Sequence, residues 1–166
     1  MKQIILIGPP GAGKSSIGKN LAKKLEQPFC DTDQLIEEQT GKSIAEIFID
    51  SGEAQFREIE RAVVLQVLQD RTGVIALGGG SVLDEDVQAK LQRMSGVVFL
   101  DVSISNAAPR VGFNRDRPLL VGNPRQQWIA LMEKRRPIYE KLAKITISTD
   151  NKKVNEVVSE LIGEFA

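Results

Sequence analysis

Eight residues, Gly8-Pro9-Pro10-Gly11-Ala12-Gly13-Lys14-Ser15, join an apolar run, Ile4–Ile7, to a helix-like stretch. This is the G-x-x-x-x-G-K-[ST] pattern in the strand–loop–helix setting it needs. Glycines let the backbone turn tightly enough for successive N–H groups to converge on one anion. The helix that follows turns its positive end toward the same point. In such a loop Lys14 supplies a point charge for the β- and γ-phosphates, and Ser15 offers a hydroxyl to Mg²⁺. The segment therefore reads as a nucleoside triphosphate site at the end of a buried strand, leaving the acceptor of the phosphoryl group open.

Helix and strand patterns alternate along the rest of the chain. Strands are expected at Lys2–Ile7, Pro28–Cys30, Val74–Leu77, Val97–Leu100 and Ile145–Ser148. Helices are expected at Lys14–Leu25, Asp33–Gln39, Ala54–Gln69, Asp84–Arg93 and Ser105–Val111. A short helix opens on the capping box Ser43-Ile44-Ala45-Glu46. Another covers Arg125–Arg136 and ends at Pro137, and a last amphipathic one carries Val154 to Phe165. Phe56, Ile59, Val63 and Val67 mark the core face of Ala54–Gln69. Five strands separated by helices imply an α/β fold, a parallel sheet with helices on both faces. Ligands then bind at the carboxyl ends of the strands, where the phosphate loop, Asp31, Asp33 and Gly78-Gly79-Gly80 all fall.

Composition narrows the chemistry. The 166 residues fit one domain, and 22 basic against 22 acidic side chains leave no net charge, which argues against a nucleic-acid-coating surface. With no histidine, acid–base work falls to carboxylates, lysine or water. Cys30 is the only cysteine, so no internal disulfide forms, and it reads as a small buried hydrophobe. The apolar run after Met1 is too short for a signal peptide or a membrane span, and the expectation is a cytoplasmic enzyme.

Asp31 and Asp33 flank Thr32, and alternate residues there point to one side. One carboxylate could reach the Mg²⁺ shell and the other an acceptor hydroxyl; alternatively one is only the N-cap of the next helix. Gly78-Gly79-Gly80 follows a strand where many phosphate-loop ATPases carry an acid, and its glycines allow close approach of a ligand. Arg57, Arg135 and Arg136 read either as solvated helix charges or as guanidinium groups for a carboxylate or phosphate. Arg110, Arg115 and Arg117 frame the polar segment 112–124, and one of them could fold over ATP. Trp128 and Phe56 read as packing residues rather than base-stacking platforms.

In order along the chain, GPPGAGKS (8–15), DTD (31–33), Thr40-Gly41-Lys42-Ser43-Ile44, Ile47-Phe48, Gly52-Glu53, Phe56-Arg57, LGGG (77–80), RPLL (117–120) and Arg135-Arg136-Pro137-Ile138-Tyr139 resemble the shikimate kinases over nearly the whole length. The resemblance implies a nucleoside monophosphate kinase fold: three layers, α/β/α, a five-stranded parallel sheet in order 2-3-1-4-5, an acceptor-binding segment at about 31–60 and a lid at about 112–124. It implies ATP as co-substrate and Mg²⁺, with Gly11, Ala12, Gly13, Lys14, Ser15 and Ser16 around the phosphates and Ser15 and Asp31 at the metal. Asp33, Arg57, Gly79 and Arg135 would hold shikimate, with Asp33 at the attacking 3-hydroxyl, and Arg117 would reach ATP from the lid. Asn151-Lys152-Lys153 stands where the family often has an arginine near the adenine, and Lys152 matches it best, though an ammonium cannot stack as a guanidinium plane does. The implied enzyme is monomeric, engages neither nucleic acid nor membrane, and makes shikimate 3-phosphate on the way to chorismate and the aromatic amino acids. Two other classes compete: a gluconate or nucleoside monophosphate kinase, and a GTPase-type switch, against which the missing N-K-x-D guanine signature speaks.

Overall fold

The structure, a computed structural model, describes residues 3–111 and 123–165. Five parallel strands form one sheet in the order β2-β3-β1-β4-β5: β1 is Ile4–Ile7, β2 Phe29–Asp31, β3 Val74–Ala76, β4 Val97–Asp101 and β5 Ile145–Ser148. Register is set by the apolar runs, with β1 between β3 and β4 so that Ile5 faces Ile75 on one side and Val97 on the other. Every residue of β1 and β3, and Val97–Leu100 of β4, is buried. A strand buried on both pleat faces must be covered on both. Helices α1 (Lys14–Lys24) and α7 (Val154–Phe165) pack on each other, while α3 (Ile44–Asp70), α4 (Glu85–Gln92) and α6 (Pro124–Leu142) pack in series. Helices α2 (Thr32–Thr40) and α5 (Ile104–Val111) complete the set. The three-layer architecture and strand order are those expected.

Two helices differ from the sequence reading in instructive ways. The expected break between the capping-box helix and Ala54–Gln69 is a kink inside α3: Gly52 has φ 83° and ψ 169°, a conformation that favours glycine. Ser43 and Glu46 form the reciprocal capping box. Helix α6, by contrast, does not end at Pro137 but runs to Leu142. Proline removes the bond to the Glu133 carbonyl and crowds that turn, a local cost of roughly 3 kcal/mol. Burial beyond it offsets that cost: Tyr139 and Leu142 are fully buried, and the Tyr139 ring lies 5.0 Å from that of Phe99. Burial also pushes the Cys30 thiol up, which fits the inert hydrophobe expected there.

Candidate active site

The phosphate loop leaves β1 and enters α1 through Gly13, whose φ of 85° makes it a left-handed N-cap. Each carbonyl from Gly8 to Gly11 is engaged by a donor. Lys14 Nζ donates to Gly8 (2.8 Å) and Pro9 (3.0 Å), Trp128 Nε1 to Pro10 (2.9 Å), and Arg110 Nη1 to Gly11 (3.0 Å). With the carbonyls tied back, the loop lines a cavity of about 730 Å³ that also touches Ser15, Ser16, Asp31, Asp33 and Lys152.

Strand β2 delivers the DTD segment to this cavity. Thr32 is fully buried and ties the ends of two strands together: its Oγ1 donates to the Ala76 carbonyl (3.4 Å) and accepts from the Gly78 N–H (3.2 Å). Its neighbours are thereby turned outward. Asp31 does both things read from the sequence as alternatives. Its Oδ1 caps α2 through Asp33 N (2.9 Å) and Gln34 N (3.3 Å), while its Oδ2 accepts the Ser15 hydroxyl. Hydroxyl and carboxylate thus stand within reach of one cation. Among the described residues no cluster of three or more Asp, Glu, Cys or His could cage a metal. Two protein oxygens beside a phosphate cradle suit Mg²⁺, which keeps several waters and takes phosphate oxygens.

Gly78-Gly79-Gly80 is the hub of a second cluster beside the first. A Cβ at Gly78 would stand 2.5 Å from Asp33 Oδ1 and 3.0 Å from Glu60 Oε2. One at Gly79 would lie 3.4 Å from Arg135 Nη1 and 3.3 Å from the Gly8 carbonyl. One at Gly80 would overlap the Arg57 guanidinium. The outer two glycines make room for charged side chains, and the middle one packs between Arg135 and the phosphate loop. Asp33, Arg57, Gly79 and Arg135, up to 102 positions apart in the chain, are brought together here.

The neighbouring arginines Arg135 and Arg136 go to different places. Arg135 is buried against Gly79, whereas Arg136 makes a bidentate pair with Asp101 (2.8 and 3.0 Å) over the Phe99 ring. The sequence reading passed over Glu60. It is 3 % exposed and accepts from Arg57 Nη1 at 2.8 Å. Burial pushes its carboxyl up to about 7 against the opposing pull of Arg57, and Asp33 adds to the rise. The signal was a carboxylate at the i+4 position from Phe56: the buried series on α3 is Phe56, Glu60, Val63, Val67, and Ile59 is only half-buried.

At the other end of the cavity, Arg110 lies against Thr149 as well as Gly11, and Lys152 pairs with Glu160 at 2.8 Å. Arg110, read from sequence only as a flank of the polar segment, is thus a wall of the nucleotide-sized cavity. Phe56 and Trp128 are buried packing residues. Arg115, Arg117 and segment 112–122 lie outside the described residues.

A sequence profile described as shikimate kinase matches residues 10–166. This chain belongs to the shikimate kinase family. The shikimate kinase of Rhodococcus jostii strain RHA1 is 44% identical over 163 residues, covering 98% of this chain and 96% of that one. That of Thermobifida fusca strain YX is 46% identical over 160 residues, covering 96% and 92%. The solved shikimate kinase of Acinetobacter baumannii in complex with shikimate superposes with a TM-score of 0.95 at 32% identity, covering 99% of this chain and 93% of that one. Family and fold therefore agree over nearly the whole chain. Among the described residues, no helix is long and apolar enough to cross a membrane.

Proposed function

We infer that this chain transfers the γ-phosphoryl group of ATP to the 3-hydroxyl of shikimate. The observation that carries the reading is the glycine hub: two arginines and two carboxylates converge on one glycine turn whose middle residue abuts the phosphate loop. Arg57 and Arg135 are the guanidinium groups for the acceptor's carboxylate, a planar fork-to-fork match. Asp33, next to Gly78 and lining the nucleotide cavity, orients the attacking hydroxyl and is the group to accept its proton, since the chain has no histidine. Gly79 brings backbone within reach of the same acceptor.

On the donor side, the N–H groups of Gly11, Ala12, Gly13, Lys14, Ser15 and Ser16 hold the phosphates, and Lys14 carries charge toward the transferred group. Ser15 and Asp31 would hold Mg²⁺, which when bound neutralises charge spread over the phosphate oxygens. Positioning and charge stabilisation account for most catalysis in such transfers. Arg117 on ATP rests on the resemblance alone, as does a lid at 112–124. Lys152 touches the cavity that would hold the nucleotide. Residues 31–60 form the acceptor segment within a single kinase domain, for they contribute Asp33, Arg57 and Glu60 to one cluster. A monomer in the cytoplasm fits a site built from one chain.

A coupled ADP-release assay with shikimate, gluconate and nucleoside monophosphates in parallel tests the reading. Release dependent on shikimate and Mg²⁺ is expected; release with gluconate or a nucleotide but not shikimate would overturn it.

A further inference from the structure

The chain has one tryptophan and one tyrosine, and both sit on α6. Trp128 is 4 % exposed and Tyr139 fully buried. Each donates its single polar hydrogen to a backbone carbonyl of a ligand-facing loop: Trp128 Nε1 to Pro10 at 2.9 Å, Tyr139 Oη to Gly79 at 2.6 Å. The first loop is the phosphate cradle and the second the glycine hub. We propose that α6 is a splint holding the donor loop and the acceptor loop in register, with Trp128 and Tyr139 as its two positioning residues.

The geometry follows from the helix. Trp128, Met132, Arg135, Tyr139 and Leu142 are the buried residues of α6, at spacings of four and three that keep them on one face. From Trp128 to Tyr139 the axis advances roughly 16 Å at the usual helical rise. Arg135 lies between them and reaches Gly79 from the same face.

The loops need such an anchor because they are made largely of glycine and proline. Gly78, Gly79 and Gly80 have no side chains with which to hold themselves, and side chains at Gly78 and Gly80 would collide with Asp33 and Arg57. Position must be imposed through the backbone. A peptide unit is planar, so a carbonyl held at one edge sets the direction of the N–H at the other. Fixing the Pro10 oxygen aims the Gly11 N–H, which belongs to the cradle. Fixing the Gly79 oxygen aims the Gly80 N–H, at the end of the hub that meets Arg57. Pro137 between the two clamps is retained inside the helix, and the Tyr139 contacts beyond it are what keep α6 continuous.

Neither aromatic need touch a substrate for this role, so it differs from binding by Arg57 or Arg135. It also differs from simple satisfaction of buried polar groups, which would affect stability without distinguishing one substrate from the other. The acceptor half rests on the shikimate reading above; the nucleotide half does not.

Initial rates of the full chain with ATP and shikimate varied independently decide the matter. Removing one neutral hydrogen bond and keeping the ring is expected to raise one KM by about three- to tenfold, corresponding to about 1 kcal/mol. Tyr139→Phe should do so for shikimate with the ATP KM within about twofold, and Trp128→Phe the reverse. Since Phe is smaller than Trp, a second variant keeps the shape. Biosynthetic replacement of tryptophan by its benzothiophene isostere, which lacks the N–H, alters Trp128 alone and should match Trp128→Phe. Calorimetric titration of ATP into the same proteins needs no acceptor and should show weaker binding only for the Trp128 variants. If each variant shifts both KM values alike, or lowers the melting temperature and leaves both KM values and the ATP affinity at wild type, the splint is refuted. If the wild-type chain releases no ADP with shikimate, the acceptor reading has failed instead, and the ATP titrations still decide between a clamped and an unclamped phosphate loop.

Discussion

Gly80→Ala separates the position of Arg57 from its presence. Gly80 has φ −95° and ψ −2°, which alanine adopts without strain, so the backbone does not oppose the change. The added methyl would overlap the Arg57 guanidinium, nearest Nη1 and 2.6 Å from Nη2, whereas ordinary contact begins at 3.4 Å, so the guanidinium must retreat by about 1 Å. That retreat costs the fold little where the long, flexible Arg57 side chain can shift and keep its bond to Glu60, and Gly→Ala itself contributes about 0.4–1 kcal/mol by restricting the unfolded chain. Binding has no such slack. A displacement near 1 Å can cost about a hundredfold where groups must be aligned, so the shikimate KM is expected to rise by roughly ten- to a hundredfold. ATP affinity and the urea midpoint should stay near wild type. Gly96→Ala supplies the contrast, since its methyl meets the backbone carbonyl of Gln3, which cannot swing aside; it should cost about 1–3 kcal/mol of stability and leave both KM values alone. The assay is steady-state ADP release for Gly80→Ala, Arg57→Ala and the double variant, with urea unfolding alongside. In the Arg57→Ala background the three atoms nearest the methyl are gone, so the second substitution should add little. An undiminished Gly80→Ala penalty in that background would refute the reasoning.

Arg135→Ala should raise the shikimate KM by roughly ten- to a hundredfold, the worth of a charge-assisted hydrogen bond, while Arg136→Ala, half-exposed and paired with Asp101, should cost only about 0.5–1 kcal/mol of stability and leave that KM unchanged. Equal effects on the KM would undo the assignment of the two arginines. Lys14→Met should lower kcat by about a hundredfold or more, as loss of a preorganised charge does, with Mg²⁺ dependence retained; activity within a few-fold of wild type counts against the donor site. Glu60 titrates near 7 in the fold and near 4.5 when unfolded, so between those values the native state holds the extra proton and stability falls as pH rises. Glu60→Gln should abolish that part of the slope, on the order of 3 kcal/mol between pH 4.5 and pH 7.5, and parallel urea-midpoint profiles for the two proteins would show that the carboxyl is not raised.

Features carried by contiguous residues were legible in the sequence. The phosphate loop is one segment whose spacing encodes its own conformation, and the alternation of apolar strands with amphipathic helices implied a parallel sheet with ligands at its carboxyl end. Strand order needed the family resemblance, since propensity and period are local and do not say which strands are neighbours. Helix α6 shows where local reasoning gives way: Pro137 is a stop signal in its own turn, yet burial of Leu142 and the contacts of Tyr139 with β4 and the glycine hub, distant in sequence, recover that cost.

Glu60 shows the same limit in charge. A glutamate in a helix reads as solvated; helical spacing alone sets Arg57 one turn away, but only the fold closes the core over Glu60. The hydrogen bonds from Trp128 to Pro10 and from Tyr139 to Gly79 span 118 and 60 positions, and no periodicity encodes such pairs. Which chemical groups are present, and which short segments can cradle a phosphate or cap a helix, could be read along the chain because they depend on neighbours within a few residues. It took the assembled fold to show that Arg136 turns away to Asp101, that the Glu60 carboxyl is raised toward neutral pH, and that one helix face grips both loops. Burial and long-range hydrogen bonding come into being only when distant segments exclude water together.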